Sequence, residues 1–242
     1  MKKFIFNCIL AITLLLSFNF SYGQNEIPNW LNETINQENR EPMHTSYFVY
    51  ENEKLANDND WTKSNNYLSL NGDCKFKWVE NPADLPEGFF EANYNDSSWD
   101  TFTIPANWEI NGYGYPIYTN IAYEFNNLIV IDPPQVPTTY NPTGVYRKTI
   151  MVDENWLKKD VFLHIGAAKS NLKVWVNGNY VGYGEDSKLP QEFKLNNYLK
   201  KGENTIVLKL MRWSDGSYLE CQDFWRISGI TRDSYLYARN KT

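Results

Sequence analysis

The chain has 242 residues, 42% of them hydrophobic and 21% charged, with a formal net charge of −6. That length suits one well-cored domain with extensions. No segment concentrates basic residues, so nucleic acid is not an expected partner.

Lys2 and Lys3 open the chain and precede an apolar stretch from Phe4 to Phe20, broken by Asn7 and Asn19. Small residues around Ser21 to Gly23 complete the pattern of a secretory signal peptide over residues 1–23, which predicts a periplasmic or secreted protein. The apolar core is too short and interrupted for a stable membrane span. Of the three cysteines, Cys8 lies in this leader, leaving Cys74 and Cys221. Two cysteines are not a disulfide framework, and two free, buried thiols are expected.

Residues 24–60 are polar, irregular and rich in Asn and Glu. They read as an extended arm wrapping another surface, with Asn57 to Asp60 its most loop-like part. Regular patterning follows. Leu68, Leu70, Cys74, Phe76 and Trp78 alternate like a strand, with an irregularity at Asn71-Gly72. Phe102 to Ile104 is a short strand closed by Pro105. Asn107 to Tyr140 mixes prolines and glycines with tyrosines and phenylalanines. Its prolines exclude central strands, so it is a long irregular segment held by aromatic packing, where binding loops are often found. Asn141 to Gly144 reads as a turn feeding a strand over Val145–Val152.

Val161–Ile165 is the next strand. Asn171–Val176 places Leu172, Val174 and Val176 on one face and Lys173 and Trp175 on the other. Asn177-Gly178 is a hairpin turn signal, and Tyr180–Tyr183 returns. Phe193 and Leu195 flank a connection. Strands over Thr205–Met211 and Ser234–Ala238 complete the set. Short strands, no long amphipathic helix and 16% aromatic residues predict an all-β protein. The expected architecture is a jelly-roll, galactose-binding-like β-sandwich over residues 61–242.

The densest chemistry lies between Val207 and Tyr237. A strand-like run meets a tight turn at Ser214, Asp215 and Gly216, followed by Glu220, Asp223 and Arg226 among Tyr218, Phe224 and Trp225. Carboxylates mixed with aromatic faces suit a neutral polyol. Glu220 and Asp223 are read not as a catalytic pair but as solvent-facing acids or structural ion-pair partners of Arg212, Arg226 or Arg232. His44 and His164 are too isolated in sequence to suggest a zinc site. Asp215 is either a turn-stabilising acid or a ligand contact, and Asn141 either starts a turn or meets a hydroxyl.

Several segments, in order, resemble the amino-terminal region of bacterial β-galactosidases of glycoside hydrolase family two. They include Ile104-Pro105-Ala106-Asn107-Trp108, Pro116-Ile117-Tyr118-Thr119-Asn120, Asn141-Pro142-Thr143-Gly144-Val145-Tyr146 and Val181-Gly182-Tyr183-Gly184-Glu185-Asp186-Ser187. Arg212 to Glu220, continuing to Ile230, is the most specific of them. The resemblance covers the chain from about Trp61 onward. It implies a β-galactoside substrate and, in the whole enzyme, a homo-oligomer with a TIM barrel. It implies that Asp215 contacts the galactosyl hydroxyls and a bound Na+, and that Asn141 also contacts substrate. Mg2+ belongs to the family's full enzyme through ligands absent from this chain. Retaining hydrolysis needs two carboxylates about 5–5.5 Å apart. In the family both sit on the barrel, which alone takes about 250 residues. No catalytic residue is therefore expected here, and the isolated chain is expected to be inactive, a fragment or split product of a longer enzyme. A stand-alone carbohydrate-binding module and an inactive remnant are the alternatives. Two positions depart from the family pattern: Cys74, where Trp is usual, and Cys221, where lactose-cleaving members carry an acid.

Overall fold

Alternation in Asn171–Val176 sends Leu172, Val174 and Val176, all fully buried, into one interior, and turns Lys173 and Trp175 to the other side. The chain then reverses at Asn177-Gly178 with φ of +52° and +83°. Positive φ at both positions matches the twist of a two-residue hairpin, which explains the Asn-Gly pair. The structure, a computed structural model, describes residues 27–241. The predicted leader lies outside them.

Along the chain the strands are β1 (Gln37–Glu38), β2 (Tyr67–Ser69), β3 (Gly72–Val79), β4 (Asp100–Ile104) and β5 (Ile117–Thr119). β6 (Thr143–Val152), β7 (Asp160–Ile165), β8 (Ala168–Lys169), β9 (Asn171–Val176) and β10 (Asn179–Glu185) follow. β11 (Gln191–Lys194), β12 (Gly202–Met211), β13 (Phe224–Arg226), β14 (Gly229–Ile230) and β15 (Ser234–Arg239) complete the set. A seven-stranded sheet runs β1-β10-β9-β12-β6-β3-β4 and a four-stranded sheet runs β11-β7-β15-β2. The pairings within both are antiparallel.

The main core lies between the two sheets. Phe76, Tyr146, Leu172, Val174, Leu208 and Leu210 come from the larger, and Leu163, Ile165, Phe193 and Leu236 from the smaller. Burying each such side chain contributes about 1.5–3 kcal/mol before ordering costs. This is the expected all-β sandwich.

Differences from the sequence reading have local causes. β6 begins at Thr143 because Thr143 and Gly144 pair with Met211 and Leu210 on one side and with Val79 and Trp78 on the other. The connection around Phe193 is a strand, β11, because its backbone pairs with β7 from Gln191↔Ile165 to Lys194↔Phe162. Residues Glu53–Asp58 form a helix, α1, whose first turn is closed by Leu55 N–H donating to the Asn52 side chain at 3.0 Å. It ends at Asn59 with φ of +50°, so the loop-like reading of residues 57–60 caught only its end.

The surface wrapped by the arm is the domain's own. β1 adds an edge to the large sheet through Gln37↔Gly184 and Glu38↔Tyr183. Two residues later Arg40 bridges to Phe193 and Glu41 N–H donates to Glu192 O at 2.8 Å, in the other sheet. The arm therefore straps the two sheets together at one edge. His44 fixes it further, with Nε2 2.9 Å from Glu192 Oε2. His164 Nδ1 lies 2.7 Å from the other Glu192 oxygen, and the Tyr237 hydroxyl donates to Glu192 Oε2 at 2.8 Å. The histidines, isolated in sequence, meet on one carboxylate. Burial opposes that carboxylate, but its hydrogen bonds to His164, His44 and Tyr237 hold its pKa below the ordinary value. Among the described residues no cluster of His, Cys, Asp and Glu could hold a metal, and no helix is long and apolar enough to cross a membrane. Cys74 and Cys221 are both free, and burial pushes the Cys74 thiol up to about 11.

Candidate functional site

The site is built where β12 ends. Beyond Met211 the chain enters Arg212, Trp213 and Ser214, all fully buried, and then a single 3-10 turn over Asp215–Tyr218. Trp213, Phe125 and Val136 form a separate apolar cluster with Tyr123, Tyr140 and Tyr218 packed against it. This cluster ties the long irregular segment to the sheet end, the aromatic packing expected of it. The rings of Phe125 and Trp213 lie 5.6 Å apart, edge to face.

Charge fixes the same segment from the other side. Arg212, fully buried, lies 3.5 Å from Glu109 Oε1 and 3.4 Å from Glu124 Oε2. It also donates to the carbonyls of Tyr115 and Arg226, each at 3.1 Å. Lys169 Nζ reaches Glu124 at 2.8 Å, and Glu109 Oε2 accepts from Ser228 N–H at 2.7 Å. Burial opposes the Glu124 carboxylate, but Lys169 and Arg212 outweigh it and hold its pKa below the ordinary value.

Asn141 is fully buried at this end of the sandwich. Its Nδ2 donates to Trp213 O and its Oδ1 accepts from Trp213 N–H, both at 3.0 Å. The side chain thus mimics a strand partner and fixes the backbone two residues before Asp215. The structure brings the two site residues read from the sequence to one end of β12 in this way.

Asp215 is half-buried on the turn. Its Oδ1 is screened from solvent and has no hydrogen-bond partner among the described residues. Burial pushes its pKa up. Beside it lies Glu185, the last residue of β10, which the sequence reading did not single out as a site residue. Glu185 Oε1 accepts from the Tyr183 hydroxyl at 2.5 Å. Burial first, then the charge and hydrogen bond of Asp215, push the Glu185 carboxyl up to about 8, against the Tyr183 bond. At neutral pH Glu185 is therefore protonated and donates to Asp215. Gly216 makes this approach possible, since a Cβ there would stand 2.7 Å from Glu185 Oε2. The signal available in sequence was the spacing Tyr183-x-Glu185, which puts both on one strand face.

This pair sets a testable sign. A carboxyl whose folded pKa is raised from 4.5 to about 8 stabilises the fold fully below the lower value, and the contribution is lost as pH climbs to the upper one. Glu185→Gln keeps an acceptor for Tyr183 and a donor for Asp215 but removes the titration. Urea midpoints at pH 5 and pH 8.5 should show the variant gaining on the wild type as pH rises, by about 1–3 kcal/mol at the higher pH. A pH-independent difference would show that Glu185 is already ionised.

Glu220 and Asp223 correct the ion-pair reading. Glu220 Oε1 accepts from Ser187 N–H at 2.6 Å and its other oxygen from the Ser187 hydroxyl. Asp223 accepts from the Tyr118 hydroxyl at 2.5 Å. Arg212 is taken by Glu109 and Glu124, while Arg226 donates to the Glu220 and Gln222 carbonyls and to Cys221 Sγ. Around the turn, Tyr118, Ile121, Val130, Leu219 and Trp225 are exposed.

Comparison with known proteins places this architecture. The family described as glycosyl hydrolases family 2, sugar binding domain, matches residues 67–240. A β-galactosidase of Priestia megaterium is 40% identical over 222 residues, which is 91% of this chain and 22% of that protein. A β-glycosidase structure from Bacteroides vulgatus aligns at TM-score 0.51 and 26% identity, covering 72% of this chain and 20% of that one. A Bacteroides uniformis β-glucuronidase aligns at TM-score 0.54 and 20% identity, with 72% and 18% covered, a likeness of fold. The family match spans most of the chain, and the chain belongs to the sugar-binding domain of the family 2 glycosyl hydrolases.

Proposed function

We propose that this chain supplies one wall of the sugar site of a β-galactosidase, acting on terminal non-reducing β-galactose. The observation that carries the reading is Asp215 Oδ1, a screened carboxylate oxygen with no partner among the described residues, on a turn fixed by Asn141 and Trp213. Such an oxygen suits a sugar hydroxyl or a hard cation. Asp215 would accept from galactosyl hydroxyls and offer one ligand to Na+, the remaining ligands coming from elsewhere. Asn141 would serve the same wall by holding the backbone that presents Asp215. The 40% identity to a β-galactosidase supports galactose over other sugars.

Glu185 and Asp215 are not the hydrolytic pair. They lie within hydrogen-bonding reach of one another, whereas retaining hydrolysis holds a sugar carbon between carboxylates about 5–5.5 Å apart. The chain spans 22% of the length of the curated relative it matches, and catalysis would lie in the remainder of such an enzyme. Exposed apolar residues beyond β12, among them Leu219, Trp225 on β13 and Ile121 just after its partner strand β5, would form the face that a catalytic domain covers. That rim argues against a stand-alone module. The leader pattern from Lys2 to Gly23 supports an exported protein.

Alone, the chain should bind galactose weakly and hydrolyse no chromogenic β-galactoside, because one wall leaves most hydroxyls in water. Joined to a family barrel, it should support hydrolysis of β-galactosides in preference to β-glucuronides. Preference for the glucuronide would overturn the substrate, and hydrolysis by the chain alone would overturn the division of labour.

A further inference from the structure

A cavity of about 250 Å³ opens on the outer face of the seven-stranded sheet. Its floor carries Lys173, Lys209, Asn171 and Tyr183, and Trp30 and Asn29 of the arm wall it. Strand register alone puts the two lysines together, because Lys209 and Lys173 are direct partners between β12 and β9. Like charges directly opposite on one sheet face are destabilising. Among the described residues neither lysine has a salt-bridge partner. Burial first, then Lys173, pushes the Lys209 ammonium down to about 8. Lys173 rests over the Tyr180 ring, 5.3 Å from its centroid. Glu38 stands in the same cross-strand row, two strands from Lys173, but its carboxylate is taken by the Tyr180 hydroxyl, and Glu185 is protonated at neutral pH.

The amides repeat the pattern. Asn171 is 2% exposed, and its Oδ1 accepts from Met211 N–H at 3.1 Å. Its Nδ2 has no partner among the described residues, nor does Asn29 Nδ2. Buried donors are ordinarily satisfied, and each one left open costs free energy. Two cations, the open Asn29 N–H and the Asn171 amide, whose one acceptor in reach is the Tyr183 hydroxyl, leave the cavity with more donors than acceptors among the described residues. The volume would hold about eight waters at ~30 Å³ each, enough for a sugar ring. Trp30 and Met211 supply an apolar wall for it.

We propose that this cavity binds a monosaccharide-sized ligand bearing one oxyanion group, a carboxylate or a sulfate, held between Lys173 and Lys209. The oxyanion accepts from both ammonium groups and from Asn171 Nδ2, and the ring lies against Trp30. Tyr183 in the wall bonds to Glu185 beside Asp215, so the cavity adjoins the candidate sugar wall, but its oxyanion contacts involve neither Asp215 nor the exposed rim and its test does not require the galactoside reading.

Calorimetric titration of the full chain at pH 7 and fixed ionic strength tests it, using glucuronate, galactose 6-sulfate, inorganic phosphate and galactose as probes. At least one sugar acid should bind saturably, and at least tenfold more tightly than galactose or phosphate. The tighter of the two acids identifies the oxyanion. Lys209→Met should weaken that acid at least tenfold while raising the melting temperature, because it removes an unneutralised cation. Lys173→Gln should weaken it similarly. No saturable binding of either acid, phosphate binding as tightly as both, or unchanged affinity in Lys209→Met would overturn the proposal.

Discussion

Replacing Arg212 with methionine should destabilise the domain by about 3–5 kcal/mol, the usual cost of removing one partner from a buried charge pair. The guanidinium is fully buried and is shared between Glu109 and Glu124 and the carbonyls of Tyr115 and Arg226. Methionine fills much of the volume but donates nothing. Glu109 would keep only its bond from Ser228 N–H, and Glu124 only Lys169. Each acid would then carry an open acceptor into the interior. Lysine at the same place should recover only part of the loss, because one ammonium cannot reach four acceptors in a planar fork. Urea unfolding is the measurement, with the midpoint falling and the slope unchanged. A loss below 1 kcal/mol would show that the long loop is held by Phe125, Val136 and Trp213 alone.

That network also shows where sequence reading stops. Strand β9 was legible because its alternation is local, with Leu172, Val174 and Val176 facing one way and Asn177-Gly178 closing the hairpin. β11 was not, because four residues gain strand character only from pairing with β7. Arg212 finds acids more than eighty residues away, and no local period carries that information. The neighbouring Glu220 and Asp223 suggested ion pairs by proximity in sequence, but Ser187 and the Tyr118 hydroxyl reach them first. Asp215 stood out because it sits in a dense motif on a turn. Glu185 did not, since its role comes from Gly216 allowing its carboxyl against that turn. The arm's attachment through Arg40, Glu41 and His44 was equally silent, because a polar segment shows no pattern until its partner strands are in place.

In an enzyme assembled from this domain and a family barrel, Asp215→Asn should lower kcat/KM for a β-galactoside by roughly 10–150-fold, the equivalent of about 1.5–3 kcal/mol for one hydrogen bond to a charged group. The substitution is isosteric and leaves an oxygen able to accept the Glu185 proton, so the turn has no reason to move. It removes the negative charge that a sugar hydroxyl or a sodium ion would meet. It also removes one of the two acids competing for a proton in a screened place, where Asp215 and Glu185 both have raised pKa values. The stability of the isolated domain should therefore hold or rise, and the Glu185 titration should shift down from about 8. Those opposite signs separate the two readings of Asp215. A turn-stabilising acid would cost stability when neutralised and would leave the turnover of correctly assembled enzyme unchanged. A substrate-facing acid costs turnover and leaves the fold intact. The comparison needs equal amounts of assembled complex, checked by sedimentation, before rates are read. Unchanged kcat/KM under that condition would remove Asp215 from the sugar site and leave its screened oxygen without a functional account.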